Sequence, residues 1–376
     1  MTNDANKNVT MRDIARQCQV NQATVSRAMN HDPRVKLATA ERIRATAATM
    51  GYDPTLQIAA RRLSMQKSGV MPASHLIGVS MSNDFAEVPY FSKLFSGILD
   101  QSETNHATLL MANSKNPTTP DAMVRLHDLY MYHGVRGFIV IGSYFRRIPI
   151  TKTIMSDNSL GDPTLVFLIE SIPGYASVVT DDCQGAYLAT KHLLDLGHRH
   201  ITQLTYKAFG QRQEQRLIGV RKALMEYKLD PNDSLDLCPI PALSWFVPSN
   251  LIPWLSDKPR MRRECAPLAT ALRRHQSTAL LTLNDASALH AWYGLQHQGW
   301  RIPEDISLIG FDDTDNYMSI QGQGLLTTVH LPLYEAGKSA VKLVQAIQQG
   351  TATSKTQIML PATLTIRQST MPPKNL

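Results

Sequence analysis

The chain has 376 residues, 43% of them hydrophobic, and a formal net charge of +7. That length and apolar content exclude a disordered or collagen-like chain and suit two or three domains with an ample core. The charge is concentrated, since residues 1–68 hold eleven Lys/Arg against five Asp/Glu while the rest is nearly neutral; a basic head on a neutral body fits phosphate binding by the head alone.

The first elements are three short helices between Val9 and Tyr52. Thr10 and Asp13 have the spacing of an N-terminal capping box, and Ile14, Ala15 and Cys18 then share one helical face. Asn21 is placed to cap a second helix, Gln22 to Met29, with Val25, Ala28 and Met29 inward. A third helix turns Ile43, Ala47 and Met50 inward and stops at Gly51. Two helices joined by a tight turn and covered by a third form a helix-turn-helix unit, whose second helix enters a DNA major groove. A bland bundle explains the apolar positions but not Thr24-Val25-Ser26-Arg27 on the outward side.

The run D-I-A-x-x-C-x-V-N-x-x-T-V-S-R-A-M-N, through Asp13, Ala15, Val20, Thr24, Val25, Ser26, Arg27 and Asn30, resembles the head of the LacI/GalR (lactose-repressor) family of bacterial transcription regulators. The resemblance implies that Gln22, Ala23 and Arg27 face base edges. Gln pairs with adenine, Arg with guanine, and Ala touches a thymine methyl. Thr24 and Ser26 suit phosphate oxygens, Asn30 serves either role, and Thr10 joins the DNA-binding set. Two positions depart from the family pattern. Gln19 stands where Gly is usual in the turn, at a cost of about 1 kcal/mol if the position needs positive φ. Lys36 stands where Ser or Ala commonly opens the third helix.

After Asp53-Pro54, the stretch TLQIAARRLSMQKSG resembles the family's hinge helix, which places an apolar wedge in the minor groove. Ala60, Arg61 and Leu63 carry the A-R-x-L motif. It lies two residues further from the proline than usual, so Leu56 is the rival wedge to the favoured Leu63. A plain soluble linker is the alternative. The expected organisation is a helix-turn-helix domain at 1–52, hinge and linker at 53–70, and an effector-binding and dimerisation core at 71–376.

From His75, apolar strands alternate with helices: HLIGVSM, a helix from Phe91 to Asn105, ATLLMA, a helix over 121–133, GFIVIG, TLVFLI, SVVT, a helix ending at Gly197, HITQLT, a helix over 213–228, ALLTLN, a helix over 286–298, and DISLIGF. That alternation implies parallel sheets of βαβ units. LGHRHI, R-L-I-G-V-x-x-A-L, LNDASALHA, IPEDISLIGFDD and LLTTV extend the resemblance to the family's periplasmic-binding-protein-like core. The fold implied is an all-α head joined by a hinge helix to a two-lobed α/β core. Crossings fall near Thr180, His330 and Leu360, giving lobe 1 about 75–179 plus 331–357 and lobe 2 about 180–330 plus 358–372. Between Pro239 and Pro267 the resemblance weakens, and five prolines suggest an unusual loop or short helices at the pocket rim.

Ligand belongs between the lobes, beyond the carboxyl ends of the strands. Polar residues past those ends are Asn83 and Asp84, Ser143, Glu170, Asn284 and Asp312. Arg216 opens a helix where the family places an effector-binding arginine, with pairing to protein carboxylates alone as the alternative, and Trp245 or Phe246 is placed either to stack on a sugar face or to serve as ordinary loop core. A guanidinium fork, an amide and a carboxylate suit vicinal hydroxyls, so a sugar or sugar derivative is favoured over a nucleobase. Asp285 is as suited to capping the next helix as to touching ligand, and Asp313 is expected outside the pocket. Leu331 replaces a polar residue that the family often offers to ligand, which is the one feature favouring an effector-independent regulator.

The four cysteines and the histidines lack metal-ligand spacing, and no P-loop, G-x-G-x-x-G or G-x-S-x-G is present. No cofactor, metal or catalytic residue is therefore expected. The polar start MTNDANKN and the lack of a long apolar run point to a cytoplasmic protein without membrane contact. The expected partners are double-stranded operator DNA, a small effector and a second copy in a homodimer. No leucine heptad tail follows for tetramers. The rival readings are a periplasmic solute-binding protein, opposed by the basic head, and a sugar-modifying enzyme using Glu170 and Asp312.

Overall fold

The computed structural model describes residues 9–29, 34–52, 76–82, 88–114, 126, 129–130, 135–141, 163–206, 210–240, 258–314 and 324–374. In the head, α1 (Met11–Gln17), α2 (Gln22–Met29) and α3 (Leu37–Thr49) close around Ile14, Val25, Ala28, Ile43 and Ala47. The helical spacing of those residues is what makes three short helices a folding unit, since none is long enough to persist alone. Gly51, at φ 71°, supplies the left-handed residue that ends α3.

The core begins with β1 (Leu76–Ser82), α4 (Pro89–Thr104), β2 (Thr108–Ser114), β3 (Gly137–Ile141), β4 (Thr164–Leu168) and β5 (Ala176–Thr180). There follow α5 (Asp182–Asp195), β6 (Ile201–Tyr206), α6 (Gln211–Glu226), α7 (Pro231–Ser234), β7 (Leu235–Ile240), α8 (Lys258–Arg274), β8 (Ala279–Leu281), α9 (Asp285–Gln296) and β9 (Ser307–Asp312). The last elements are β10 (Thr327–His330), α10 (Leu333–Gln348), β11 (Gln357–Leu360) and β12 (Thr363–Thr365). The strands form two six-stranded sheets, ordered β11-β5-β4-β3-β1-β2 and β12-β10-β9-β8-β6-β7. Every pairing is parallel except β10 with β12. Helices cover both faces of such sheets, so β3 reads as an unbroken apolar run, and both β3 and β9 are buried at every position.

The chain passes between the sheets three times, after Thr180, after His330 and after Leu360. β11 pairs with β5 in the first sheet, and β12 pairs with β10 in the second. Leu331 and Leu333, at the middle crossing, are buried in an apolar core that continues from one sheet to the other. Leu331 therefore packs rather than offering an edge to ligand. In the first lobe α10 lies against α4, and Gly97 and Gly337 make the approach reciprocal. A Cβ on Gly97 would overlap the Tyr334 carbonyl, and one on Gly337 the Leu94 carbonyl.

Two expectations need correction. Asp285 does not cap its helix: the cap of α9 is Asn284, whose side chain accepts from Ser287 N while the Ser287 hydroxyl accepts from Asn284 N. Asp285 is fully buried and instead accepts from Thr314 N at 2.7 Å and from the Thr328 hydroxyl. The stretch expected to be loop or short helices begins in the last two residues of β7 and ends inside the 17-residue helix α8, which takes up residues 258–267 of it. Met261, Cys265, Leu268, Ala269 and Leu272 line the buried face of α8 at helical spacing. That amphipathic stripe outweighs the break suggested by Pro267, which lies inside the helix. Residues 241–257, and most of the helix expected over 121–133, lie outside the described residues.

Candidate functional site

In the head, Thr10 accepts from Asp13 N at 3.3 Å and Asp13 accepts from Thr10 N at 3.0 Å. The box holds the entry to α1, and a second cap holds α2. Asn21 Oδ1 accepts from Thr24 N at 2.7 Å and from the Thr24 hydroxyl at 2.8 Å. Thr24 thus already spends its proton within the turn. Gln19, in the turn between the helices, has φ 49°, the conformation that makes Gly usual there. With Val25 and Ala28 buried, α2 presents Gln22, Ala23 and Arg27 as exposed residues, flanked by half-buried Thr24 and Ser26. Arg44 from α3 donates to the Ala28 carbonyl at 3.0 Å, a cation at the negative end of α2. Asn30, Ala60, Arg61 and Leu63, with the rival wedge Leu56, lie outside the described residues.

In the core, Arg216 and Asp312 meet at the carboxyl edge of the second sheet, together with two residues that sequence reasoning missed, Asp182 and Arg212. Arg216 donates from Nε to Asp182 Oδ1 at 2.5 Å and from Nη1 to the Leu283 carbonyl, and its guanidinium lies 3.5 Å from the Phe311 ring centroid. Arg212 donates from Nε to Asp182 Oδ2 at 3.2 Å. Both arginines bring Nη2 to 3.8 Å from Asp312 Oδ1. Asp312 sits at φ 102° and Asp313 at φ 54°, a left-handed pair that turns the chain away from β9. Burial alone would raise the Asp182 pKa, but Arg212 and Arg216 hold it below the usual carboxylate range. Burial would likewise lower that of Arg212, and Asp182 raises it.

The first lobe supplies a cover. Tyr90, buried in the first turn of α4, stacks under Arg212, whose guanidinium lies 5.2 Å from the ring centroid. Burial pushes the Tyr90 hydroxyl well above its ordinary pKa. One turn on, Lys93 donates to the Asp313 carbonyl at 2.6 Å. The Asp313 carboxylate is taken by Arg367 at 2.7 Å and His330 at 3.1 Å, tying the last segment of the chain to the edge of the site. Arg212 Nη2 and both polar atoms of the Gln213 amide are buried without a hydrogen bond. Buried polar atoms are normally paired, so Arg212 Nη2, beside Asp312, marks where a polar ligand would complete the set. A cavity of about 10 Å³ beneath Arg216, lined by Gln203, Val220, Leu281 and Ile309 among others, holds no more than one water.

Of the remaining predicted contacts, Glu170 is buried just past the carboxyl end of β4. Asn284 commits its carbonyl oxygen to the cap of α9. Asn83, Asp84, Ser143 and Trp245 lie outside the described residues. Asp182 and Arg212 were within reach of the rules that found the others. Asp182 lies just past the end of β5 as Asp312 lies at the end of β9, and Arg212 precedes Arg216 by one helical turn. Among the described residues no group of His, Cys, Asp and Glu is arranged to hold a metal, and no helix is long and apolar enough to cross a membrane.

Residues 10–55 match the model of bacterial regulatory proteins of the lacI family, and residues 190–370 match that of a periplasmic binding protein-like domain. Among curated proteins, the chain is 27% identical to the HTH-type transcriptional repressor PurR of Aliivibrio fischeri, covering 89% of this chain and 90% of that one. It is 26% identical to catabolite control protein A of Priestia megaterium, over 96% and 99% of the two chains. Among solved structures, a LacI family transcriptional regulator from Enterococcus faecium with bound ribose aligns with a TM-score of 0.63 at 28% identity, covering 80% of this chain and all of that one. The Lac repressor dimer bound to operator and the anti-inducer ONPF shares the fold, with a TM-score of 0.60 at 24% identity over 97% and 100% of the chains. A capped helix-turn-helix head, a two-sheet core and likeness to repressors along most of the chain lead to one assignment: the chain joins a lacI-family DNA-binding domain to a periplasmic binding protein-like core and is a DNA-binding transcriptional regulator.

Proposed function

We propose that this regulator is a cytoplasmic homodimeric repressor whose operator affinity is set by a sugar-like effector bound between the lobes. It would read DNA through Gln22, Ala23 and Arg27, position itself on phosphates through Ser26 and Asn30, with Thr10 and Thr24 holding the helix starts against the DNA backbone, and insert Ala60, Arg61 and Leu63 at the minor groove. Arg212, Arg216 and Asp312 would hold the effector, the arginines positioned by Asp182, with Asn83, Asp84, Ser143, Glu170, Trp245 and Asn284 at its rim. These groups are binding groups in this reading, with no catalytic step. The observation that carries it is the buried arginine–aspartate quartet under Tyr90 of the opposite lobe. Guanidinium and carboxylate together both donate to and accept from hydroxyls, and residues from both lobes let occupancy bias lobe closure. The ribose bound by the Enterococcus faecium regulator supports the sugar class.

The test is fluorescence anisotropy with operator fragments selected from a random pool, at fixed salt, with and without neutral sugars and purines. The expected result is specific binding altered at least tenfold by one sugar, equivalent to about 1.4 kcal/mol of coupling. Specific binding unmoved by any sugar but altered by a purine would overturn the sugar reading and leave the regulator.

A further inference from the structure

Among the described residues the quartet is electrically balanced. Asp182 uses Oδ1 for Arg216 and Oδ2 for Arg212, the latter oxygen also accepting from the Thr180 hydroxyl at 3.1 Å. Asp312 faces both remaining guanidinium ends at 3.8 Å. Two cations and two anions are thus gathered in one buried group, with Phe311 against one guanidinium and Tyr90 against the other. Among the described residues the neighbouring charges add no buried cation. The Asp313 carboxylate is matched by Arg367 and His330, Glu170 is a further buried carboxylate at the first lobe's edge, and Lys93 is an exposed ammonium engaged by the Asp313 carbonyl.

We propose that Asp182 neutralises this site so that it selects an uncharged polyhydroxylated ligand over the phosphate ester or acid of the same ligand. The inference rests on the reading that effector binds between the lobes. An anion entering a buried site gives up its hydration, and only an uncommitted cation repays that loss. Among the described residues each buried cation of the site already faces a carboxylate, and the incoming anion would face Asp312 as well. A hydroxyl meets no such penalty. It accepts from an arginine Nη2, donates to a carboxylate, and leaves the charge balance unchanged. Asp182 itself is a positioning and charge-setting residue, since both its oxygens are spent on arginines.

The experiment is calorimetric titration of the full-length protein with D-ribose, D-glucose and cellobiose, and separately with ribose 5-phosphate, glucose 6-phosphate and glucuronate, in the same buffer and salt. The expected result is binding of at least one neutral sugar, at least tenfold tighter than its own charged derivative. Asp182→Asn keeps the shape and removes one negative charge, so the ratio of neutral to anionic affinity should move at least tenfold toward the anion. Arg212→Gln is the opposite change and should move the ratio further from the anion. A wild-type protein that binds a phosphate ester or acid as tightly as the parent sugar overturns the inference and leaves the interlobe reading standing. A folded Asp182→Asn protein with unchanged selectivity overturns the role of Asp182. No binding of any probe overturns the interlobe sugar reading and the inference with it. If the variant does not fold, the wild-type comparison alone decides whether the site prefers the neutral ligand.

Discussion

A single left-handed residue shows how a helix-turn-helix is held. Gln19, at φ 49°, carries a Cβ in a conformation that costs an L-residue about 1–2 kcal/mol, and the turn between α1 and α2 requires it. Part of that cost returns when glycine is introduced, because glycine also gains freedom in the unfolded chain. Gln19→Gly should therefore stabilise the head by a net ~0.5 kcal/mol, seen as slower amide exchange at Val25 and Ala28 in the full-length protein; faster exchange would mean that the Gln19 side chain contributes more than its backbone costs. This feature was legible in the sequence, because the family pattern puts Gly there. The helix caps were legible as well, since Thr10–Asp13 and Asn21–Thr24 are local pairs. The Asp182–Arg212–Arg216 network was not, because its charges are 30 and 34 residues apart in the chain and are joined only by the docking of α5 on α6.

At the scale of elements, packing decides where spacing and propensity disagree. Strands such as TLVFL and GFIVI were legible as apolar runs, but β7 contains Pro239 and α8 contains Pro267, and proline reads as a break. Edge position tolerates the first, as β7 lies at the end of its sheet, and the buried stripe of α8 tolerates the second. The same primacy of packing fixes α4 against α10. Gly337→Ala would force the helices apart at the Leu94 carbonyl and should cost about 1–3 kcal/mol in urea unfolding at unchanged slope; a neutral result would show that the pair slides without loss. His198, in the turn before β6, is buried and takes Thr278 Oγ1 at 2.8 Å on Nδ1 and donates from Nε2 to the Met371 carbonyl at 3.0 Å. Burial lowers its pKa to about 4. The unfolded chain then binds a proton below pH 6.5 that the folded chain refuses until about pH 4, so stability falls as pH drops through that window. The slope from this residue is at most about 1.4 kcal/mol per pH unit. His198→Gln should flatten the pH 6.5-to-4.5 dependence of unfolding, and an unaltered profile would place the titration elsewhere.

At the scale of the whole molecule, the two sheets are continuous through three crossings, and their relative angle is also held by direct contacts. Tyr90 on Arg212 and Lys93 on the Asp313 carbonyl join α4 of one lobe to the site of the other. The crossings were legible because each lies where a strand ends in a short polar or proline-containing link. The cross-lobe contacts were not, because they depend on how two separately folded sheets meet. If effector binds between the lobes, these contacts belong to the closed arrangement, and a ligand shifts the protein only by binding that arrangement better. Lys93 is the cleaner probe, since it touches the Asp313 backbone rather than the quartet. Lys93→Met removes one exposed charge-assisted hydrogen bond, worth roughly 0.5–1 kcal/mol. It should weaken effector binding about threefold, a factor equivalent to ~0.6 kcal/mol. Linkage makes the second half of the prediction independent of whether effector releases or promotes DNA binding. Without effector, the variant's operator affinity should move away from the effector-saturated value, while the saturated values of variant and wild type agree. Calorimetry for effector and anisotropy for operator measure the two halves on one preparation. A variant that alters operator affinity equally with and without saturating effector would show that Lys93 acts on the DNA-bound form itself and not on the closure of the lobes.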